Sequence, residues 1–343
     1  MQQPGFKQSF FKVILRKMGS LLLEIGTSLR RISFAVSAPV AAKQSERCEG
    51  VHLALVAGYF SFEDGYATFG DTEAMRVTCQ WLRKAGIKYD IACHYLNGFN
   101  GVSLTDLDPA RYDVFIFVCG PWKEDNNNIL ERFDHCVKVG VNLSIEDENS
   151  NKFDLLYPRD LPNEFHPDLV FSAKSKLEPL IGVCLVHPQA EYGNKQRHNK
   201  VKEAVENYLL ENDIAHINLD TLYRDNNSGV TDTKGFENTL ARLDVVISSR
   251  LHGMVFSLKN ETPVVAIDAI AGGAKLTKQA EAIDWPVILA SESISSEFIA
   301  DAVEKCLKPE FKQRATRVKG AACDKILSIE RKFIEEVSAS LGV

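Results

Sequence analysis

From Val51 onward, short apolar runs rich in β-formers alternate with stretches of helical periodicity, and no other feature constrains the fold as strongly. Strands that read as unbroken hydrophobic runs are buried on both faces, which calls for helices above and below a parallel sheet. HLALVAG (52–58), IKYDIACHY (87–95) and DVFIFVCG (113–120) read as such strands, with a helix expected over 71–85. A helix is expected near Ile129 to Lys138, and a short strand in VNLSIED (141–147). The stretch from Glu148 to Pro179 is proline-bearing and aperiodic, so the domain boundary is placed within it, at 172/173. A second set follows: strands in LIGVCLVH (180–187), AHINLD (215–220), DVVIS (244–248) and PVVAID (263–268), with helices over 199–211, 234–242 and 253–259. Three closing helices are expected at 274–283, 296–307 and 311–339. The expected class is α/β, with two doubly wound Rossmann-like domains, 48–172 and 173–308. Their order suggests a glycosyltransferase-B-like architecture with an inter-domain cleft and a terminal helix over 309–343.

Composition narrows the function classes. The 343 residues are 45% hydrophobic and 25% charged, with a net charge of −6, so no general basic field argues for nucleic acid. The charge is uneven: up to Arg47 eight basic residues face two acids, giving +6, and the remaining 32 basic and 44 acidic residues give −12. This basic opening segment carries Phe10, Phe11, Val13, Ile14 and Leu15 beside Lys12, Arg16 and Lys17. Three readings fit it: an interfacial helix on anionic lipid through residues 1–45, an organellar transit peptide, or a helix packed on the body. The eight cysteines are scattered without a CxxC pair, as expected of buried thiols in a reducing compartment. The chain is therefore expected in the cytoplasm, at the membrane face if the basic segment binds lipid. No metal-ligand spacing stands out, and no metal or cofactor is expected.

The strongest local signal for chemistry is DVVISSRLHGMVFSLKNETPVVAID (244–268). An apolar strand stops at Ser248–Ser249, Arg250, Leu251 and His252 form a turn, and Gly253 opens a helix. Ligands of open parallel sheets bind beyond the carboxyl ends of the strands, where helix amino termini offer free N–H groups. Arg250 supplies a permanent charge in a planar fork, and His252 a proton donor or acceptor near neutral pH. Capping or simple ion pairing is the alternative for the same spacing. The loop AGGAK brings Gly272, Gly273 and Lys275 after the neighbouring strand, where glycines let backbone N–H groups approach an anion. An ordinary strand-to-helix turn is the alternative there. His187, Gln189, Glu191, Arg197 and His198 cluster after the first strand of the second domain, as candidate cleft residues or as a solvated loop. In the first domain Asp64, Asp71 and Glu73 occupy a glycine-bearing loop before a helix. Asp71 reads either as a helix cap or as a carboxylate that activates an acceptor hydroxyl.

The 244–268 run resembles the signature of the polysaccharide pyruvyl transferase family, with an Arg-Leu-His-Gly turn leading into a helix and a proline-initiated strand. The similarity extends through AIDAIAGGAKLTKQAEAIDWPV (266–287), LVHPQAEYGNKQRHNKV (185–201) and GYFSFEDGYATFGDTEA (58–74), covering most of 50–308. Arg159–Asp160 resembles, more loosely, an Arg-Asp pair near the domain boundary. The resemblance implies transfer of the pyruvyl group of phosphoenolpyruvate to a sugar diol, as a cyclic ketal with release of phosphate, in exopolysaccharide or envelope glycan synthesis. It implies His252 and Asp71 as catalytic groups, and Arg250, Leu251, Gly253, Gly272, Gly273 and Lys275 around phosphoenolpyruvate. The acceptor, free or lipid-linked, falls to the first domain. A nucleotide-sugar glycosyltransferase on the same architecture and a noncatalytic carbohydrate-binding protein are the alternatives.

Overall fold

The computed structural model describes residues 52–62, 67–94, 101–123, 127–145, 151–161, 164–174, 176–224, 226 and 228–341. The basic opening segment, Cys48 and Asp64 lie outside these residues. The chain divides into two compact units between Ser175 and Lys176. Among the described residues no helix is long and apolar enough to cross a membrane.

The first unit runs β1 (Leu53–Gly58), α1 (Phe69–Lys84), β2 (Lys88–Ile91), β3 (Val114–Val118), β4 (Pro121–Trp122), α2 (Asn127–Glu131), β5 (Val137–Val141), β6 (Ser144–Ile145), β7 (Leu155–Tyr157), β8 (Asp160–Leu161) and β9 (Glu164–Phe165). Its main sheet has the order β2-β1-β3-β5-β7 and is parallel throughout. Alternation along β1 sends Leu53, Leu55 and Ala57 into a cluster with Phe115, Phe117, Trp122 and Phe133. Ala54 and Val56 enter a second cluster with Met75, Ile116 and Val118. Both faces are thus filled, which is what the unbroken apolar runs require. The helix expected over 129–138 is confined to Asn127–Glu131. Val137, Val139 and Val141 are β-branched at every second position and pair in parallel with β3, so sheet pairing overrides the helical reading.

The second unit runs β10 (Ile181–Cys184), α3 (His198–Glu211), β11 (His216–Asn218), α4 (Thr233–Leu240), β12 (Val245–Ser248), α5 (Leu251–Lys259), β13 (Val264–Asp268), α6 (Lys275–Ala282), β14 (Ile288–Ala290), α7 (Ser296–Leu307) and α8 (Pro309–Leu341). The sheet order is β11-β10-β12-β13-β14, again all parallel, with Ile181 opposite Val245 and Val246 opposite Val264. Numbered by appearance, both five-stranded sheets read 2-1-3-4-5, a doubly wound order whose switch point lies between the first and third strands. Right-handed crossovers put α3 on one face and α4 to α6 on the other, and α7 packs beside α3. The fold is the expected pair of Rossmann-like parallel α/β domains.

Two boundaries differ from the sequence reading in ways that matter. α5 begins at Leu251 with Arg250 as its N-cap, so Leu251 and His252 belong to the first helical turn rather than to a loop. Gly253 does not open the helix; it is buried where α5 crosses β12. A Cβ there would overlap Ser248 Oγ and lie 3.0 Å from Cys184 Sγ. The glycine therefore permits close helix–strand packing. Gly253→Ala is expected to lower the unfolding free energy by about 1–3 kcal/mol through overpacking. Gly320→Ala, in α8 with no atom within 4 Å of the new Cβ, is expected to raise it by about 0.5–1 kcal/mol. Urea unfolding of the two variants beside wild type checks both signs.

Candidate functional site

The carboxyl ends of β10, β11 and β12 converge on one side chain. Arg250 follows β12, and its Nε donates to the Leu185 carbonyl beyond β10 at 3.0 Å. Its Nη2 lies 3.1 Å from Asp220 Oδ1 beyond β11, in an ion pair off hydrogen-bonding angle. Both side chains are nearly buried, at 11% and 12% exposure, so solvent screens the pair weakly. Asp220 Oδ2 also meets His187 Nε2 at 3.2 Å. The strand ends are fastened further by serines: Ser249 Oγ accepts the Val186 N–H at 2.8 Å, and Ser248 Oγ accepts the Arg250 N–H at 3.1 Å.

At the switch point these residues form a cavity of about 280 Å³, lined by Gln189, His198, Arg250, Leu251, His252 and Lys275 among others. The cationic pair and the histidine that the sequence singled out therefore share one space. No side chain caps the start of α5, so the first-turn amides of Leu251, His252 and Gly253 are not satisfied in that way. His252 is exposed and Lys275 stands at the amino end of α6.

The glycine loop departs from the expectation. Gly272 and Gly273 adopt φ of 81° and 74°, and their amides are committed: Gly272 N–H donates to Glu292 Oε1 at 2.6 Å and Gly273 N–H to the Ile270 carbonyl at 3.0 Å. The carboxylate of Asp268, 4% exposed, accepts from the N–H groups of Ile270, Ala274 and Thr277 and from Thr277 Oγ1, at 2.7 to 3.1 Å. The two glycine amides expected to meet a substrate anion are thus taken by the Glu292 carboxylate and the Ile270 carbonyl, leaving Lys275 as the loop's contribution. The Gly272 N–H, foremost, holds the Glu292 carboxyl below its ordinary range.

The loop after β10 is pinned to the one after β13. Arg197 N–H donates to the Ala269 carbonyl at 2.7 Å, Ala271 N–H to the Lys195 carbonyl at 2.8 Å, and Gln196 bridges Ile270. Within it, Gln189 pairs with Glu191 at 3.3 Å, and Arg197 Nη1 turns back onto the Asn194 and Gln196 carbonyls. His187 is 60% exposed. His198 is the unusual member. It is 6% exposed, borders the cavity, and neither ring nitrogen bonds to protein. Burial pushes its pKa down, against an opposing pull from Glu191.

Asp71, Glu73 and Arg159 lie in the first unit. Asp71 Oδ2 accepts the Thr68 N–H and the Thr68 hydroxyl, both at 2.8 Å. This is the capping role the sequence left open, exercised three residues into the helix, with Thr68 as the N-cap. Glu73 pairs with Arg76 at 3.0 Å. Arg159 reaches Asp160 at 2.9 Å, Asp168 at 3.2 Å and Ser144 Oγ at 2.6 Å. The Ser144 hydroxyl and Arg159 together hold the Asp160 carboxyl below its ordinary range. Sequence reasoning missed Asp220 and Asp268. Each stands at the carboxyl end of a run already read as a strand, AHINLD and PVVAID, and that position was the available signal.

Residues 147–269 match the model of the polysaccharide pyruvyl transferase family. The family resemblance is borne out over that span, which takes in Arg159, His187, His198, Asp220, Arg250 and His252. It leaves Asp71, Glu73, Gly272, Gly273 and Lys275 outside. A search of curated proteins finds no match. Among solved structures, the chain is similar to CalG4, the calicheamicin glycosyltransferase, at 12% identity and a TM-score of 0.33, covering 86% of this chain and 99% of that one. The UDP-GlcNAc 2-epimerase of Methanocaldococcus jannaschii gives 10% and 0.27, over 78% and 99%. The glycosyltransferase SnogD of Streptomyces nogalater gives 10% and 0.27, over 79% and 95%. Likeness at this level says nothing of the chemistry.

His198 gives the site a pH signature. Because its folded pKa is depressed, its contribution to stability is fully present above the ordinary value near 6.5 and is lost as pH falls through the folded value. Urea midpoints measured from pH 8 to pH 5 are expected to fall on the acid side, and to fall less steeply in His198→Gln.

Proposed function

We propose that the chain is a polysaccharide pyruvyl transferase. It moves the pyruvyl group of phosphoenolpyruvate onto two hydroxyls of one sugar, forming a cyclic ketal and releasing phosphate, in the synthesis of an exopolysaccharide or envelope glycan. The observation that carries the reading is the meeting of Arg250, His252 and Lys275 around one cavity, with the first two inside the span that matches the family.

Phosphoenolpyruvate sets a carboxylate and a phosphate on one carbon and needs concentrated positive potential. Arg250 is partly neutralised by Asp220, so Lys275 and the uncapped first turn of α5 supply the surplus. Arg250 holds the carboxylate or the phosphate in a fixed orientation, since its Nε and Nη2 are already anchored. His252, exposed beside them, is assigned the proton transfers.

The reaction proceeds in two additions. A proton reaches the methylene carbon, the neighbouring carbon becomes oxocarbenium-like, and one sugar hydroxyl attacks it while losing its proton. The carbon–oxygen bond to phosphate then breaks, the second hydroxyl adds, and its proton leaves with phosphate. One hydroxyl proton thus replaces the one taken up by the methyl group, and the other balances the released phosphate. Stabilisation of moving charge by groups already in place is the largest contribution such a site offers.

Incubation with phosphoenolpyruvate, UDP-sugars and a panel of sugars tests the proposal. Phosphate release that requires both phosphoenolpyruvate and a sugar is expected, without release of UDP. His252→Ala is expected to lower kcat by roughly 10²–10⁴-fold, and Lys275→Met to raise KM for phosphoenolpyruvate. Near-wild-type turnover in His252→Ala removes the assignment, and UDP release replaces the reaction class.

A further inference from the structure

His252 borders a second cavity. This chamber, of about 290 Å³, is lined by neither Arg250 nor Lys275, and shares only His252 and Thr221 with the first. The two chambers have opposite chemistry. The first is lined by the Arg250 guanidinium and the Lys275 ammonium, beside an Asp268 carboxylate engaged by its own loop. The second has no lysine or arginine among its lining residues; it presents carboxylates, hydroxyls, an amide and aromatic rings.

The polar groups are arranged rather than loose. Asp220 is held by Arg250 and His187. Asp232 accepts the Gly235 N–H at 2.6 Å as the N-cap of α4. Asn226 donates to the Asp220 and Leu222 carbonyls at 3.1 and 2.7 Å. Asp220 is paired with Arg250, whereas Asp232 accepts a backbone N–H and has no ion-pair partner among the described residues, so the chamber's negative character repels an anion. Lone pairs remain on the Asp220 and Asp232 carboxylates as acceptors for hydroxyl donors, whereas Asn226 Oδ1 already accepts the Ser228 N–H and hydroxyl. Tyr223 stands at this chamber with 78% of its surface exposed, and its hydroxyl contacts Thr233 Oγ1 at 2.9 Å. An exposed ring with acceptors around it matches a pyranose, which offers an apolar face of C–H bonds and a rim of hydroxyls. The volume lies at the small end of ligand pockets and suits a single sugar ring.

We infer that this second chamber is a neutral-sugar subsite, in which the pyranose that receives the pyruvyl group stacks on Tyr223 with its diol turned toward His252. The inference rests on the transferase reading, and it places the reacting ring in the second unit, whereas the sequence assigned the acceptor to the first. His252 then stands between an anionic donor on one side and a neutral polyol on the other, within reach of both. The carboxylates of the second chamber keep the anionic donor in the first.

Sugar binding is measured apart from turnover, by saturation-transfer NMR with methyl pyranosides of glucose, galactose and mannose as probes on the full chain. Wild type is expected to bind at least one of them. Tyr223→Ala is expected to lose that signal, Tyr223→Phe and Tyr223→Trp to keep it within about threefold, and Thr231→Arg, which fills the chamber, to abolish it. The thermal shift given by phosphoenolpyruvate is expected to stay unchanged in all four, which also shows that they are folded. Undiminished sugar binding in Tyr223→Ala and Thr231→Arg, or no binding by wild type, overturns the subsite. Absence of phosphate release by a wild type that binds sugar through Tyr223 overturns the transferase reading and leaves the subsite standing.

Discussion

One guanidinium fastens three strand ends. Arg250 extends from β12 to the carbonyl beyond β10 and the carboxylate beyond β11, so it spans the point at which the strand order of the second sheet reverses. A crevice exists there in any doubly wound sheet, because successive crossovers leave on opposite faces. In this chain the crevice is shaped by the fixed position of a buried, paired cation. Removing Asp220 would leave that charge without a partner in a space with little water, which is costly. The ion pair is therefore structural and electrostatic at once. It holds the strand ends in register and divides the space beyond them.

That division gives the site its chemical logic. Arg250 faces the first cavity and Asp220 the second, so the same pair supplies a cationic wall on one side and an acceptor wall on the other. His252, in the first turn of α5, borders both cavities. Its place follows from the helix beginning at Leu251 rather than at Gly253, and from the glycine three residues beyond the cap that lets α5 lie close on β12. A bulkier residue at 253 would lift the first turn and carry His252 with it.

Much of this was legible in the sequence. Buried parallel strands announce themselves as unbroken apolar runs, and the positions after them are where ligands meet this fold, so Arg250, His252 and Lys275 were identifiable from placement alone. The partners were not. Asp220 lies thirty residues before Arg250 and meets it only through the adjacency of β11, β10 and β12, a pairing that local pattern does not specify. Val137 and Lys138 were read as the end of a helix, and the strand was expected only from Val141, because a short run of alternating valines is ambiguous until β3 is known to lie beside it. Asp71 showed both a capping and a catalytic pattern, and only the Thr68 contacts distinguish them.

The glycine loop shows how a correct location can carry the wrong reason. Gly272 and Gly273 are needed for their positive φ, not for a bare backbone facing an anion. A buried carboxylate is stable when hydrogen-bond donors replace its lost hydration, and Asp268 has four of them. Those donors come from the loop and from the first turn of α6, so satisfying Asp268 forces the chain through two left-handed residues and starts the helix at Lys275. The ammonium is thereby delivered to the cavity by a rigid turn whose own amides are fully occupied. A mobile glycine loop would have to be ordered by the ligand at an entropic cost; this one is ordered beforehand, and the attraction of Lys275 for an anion is not diminished by it.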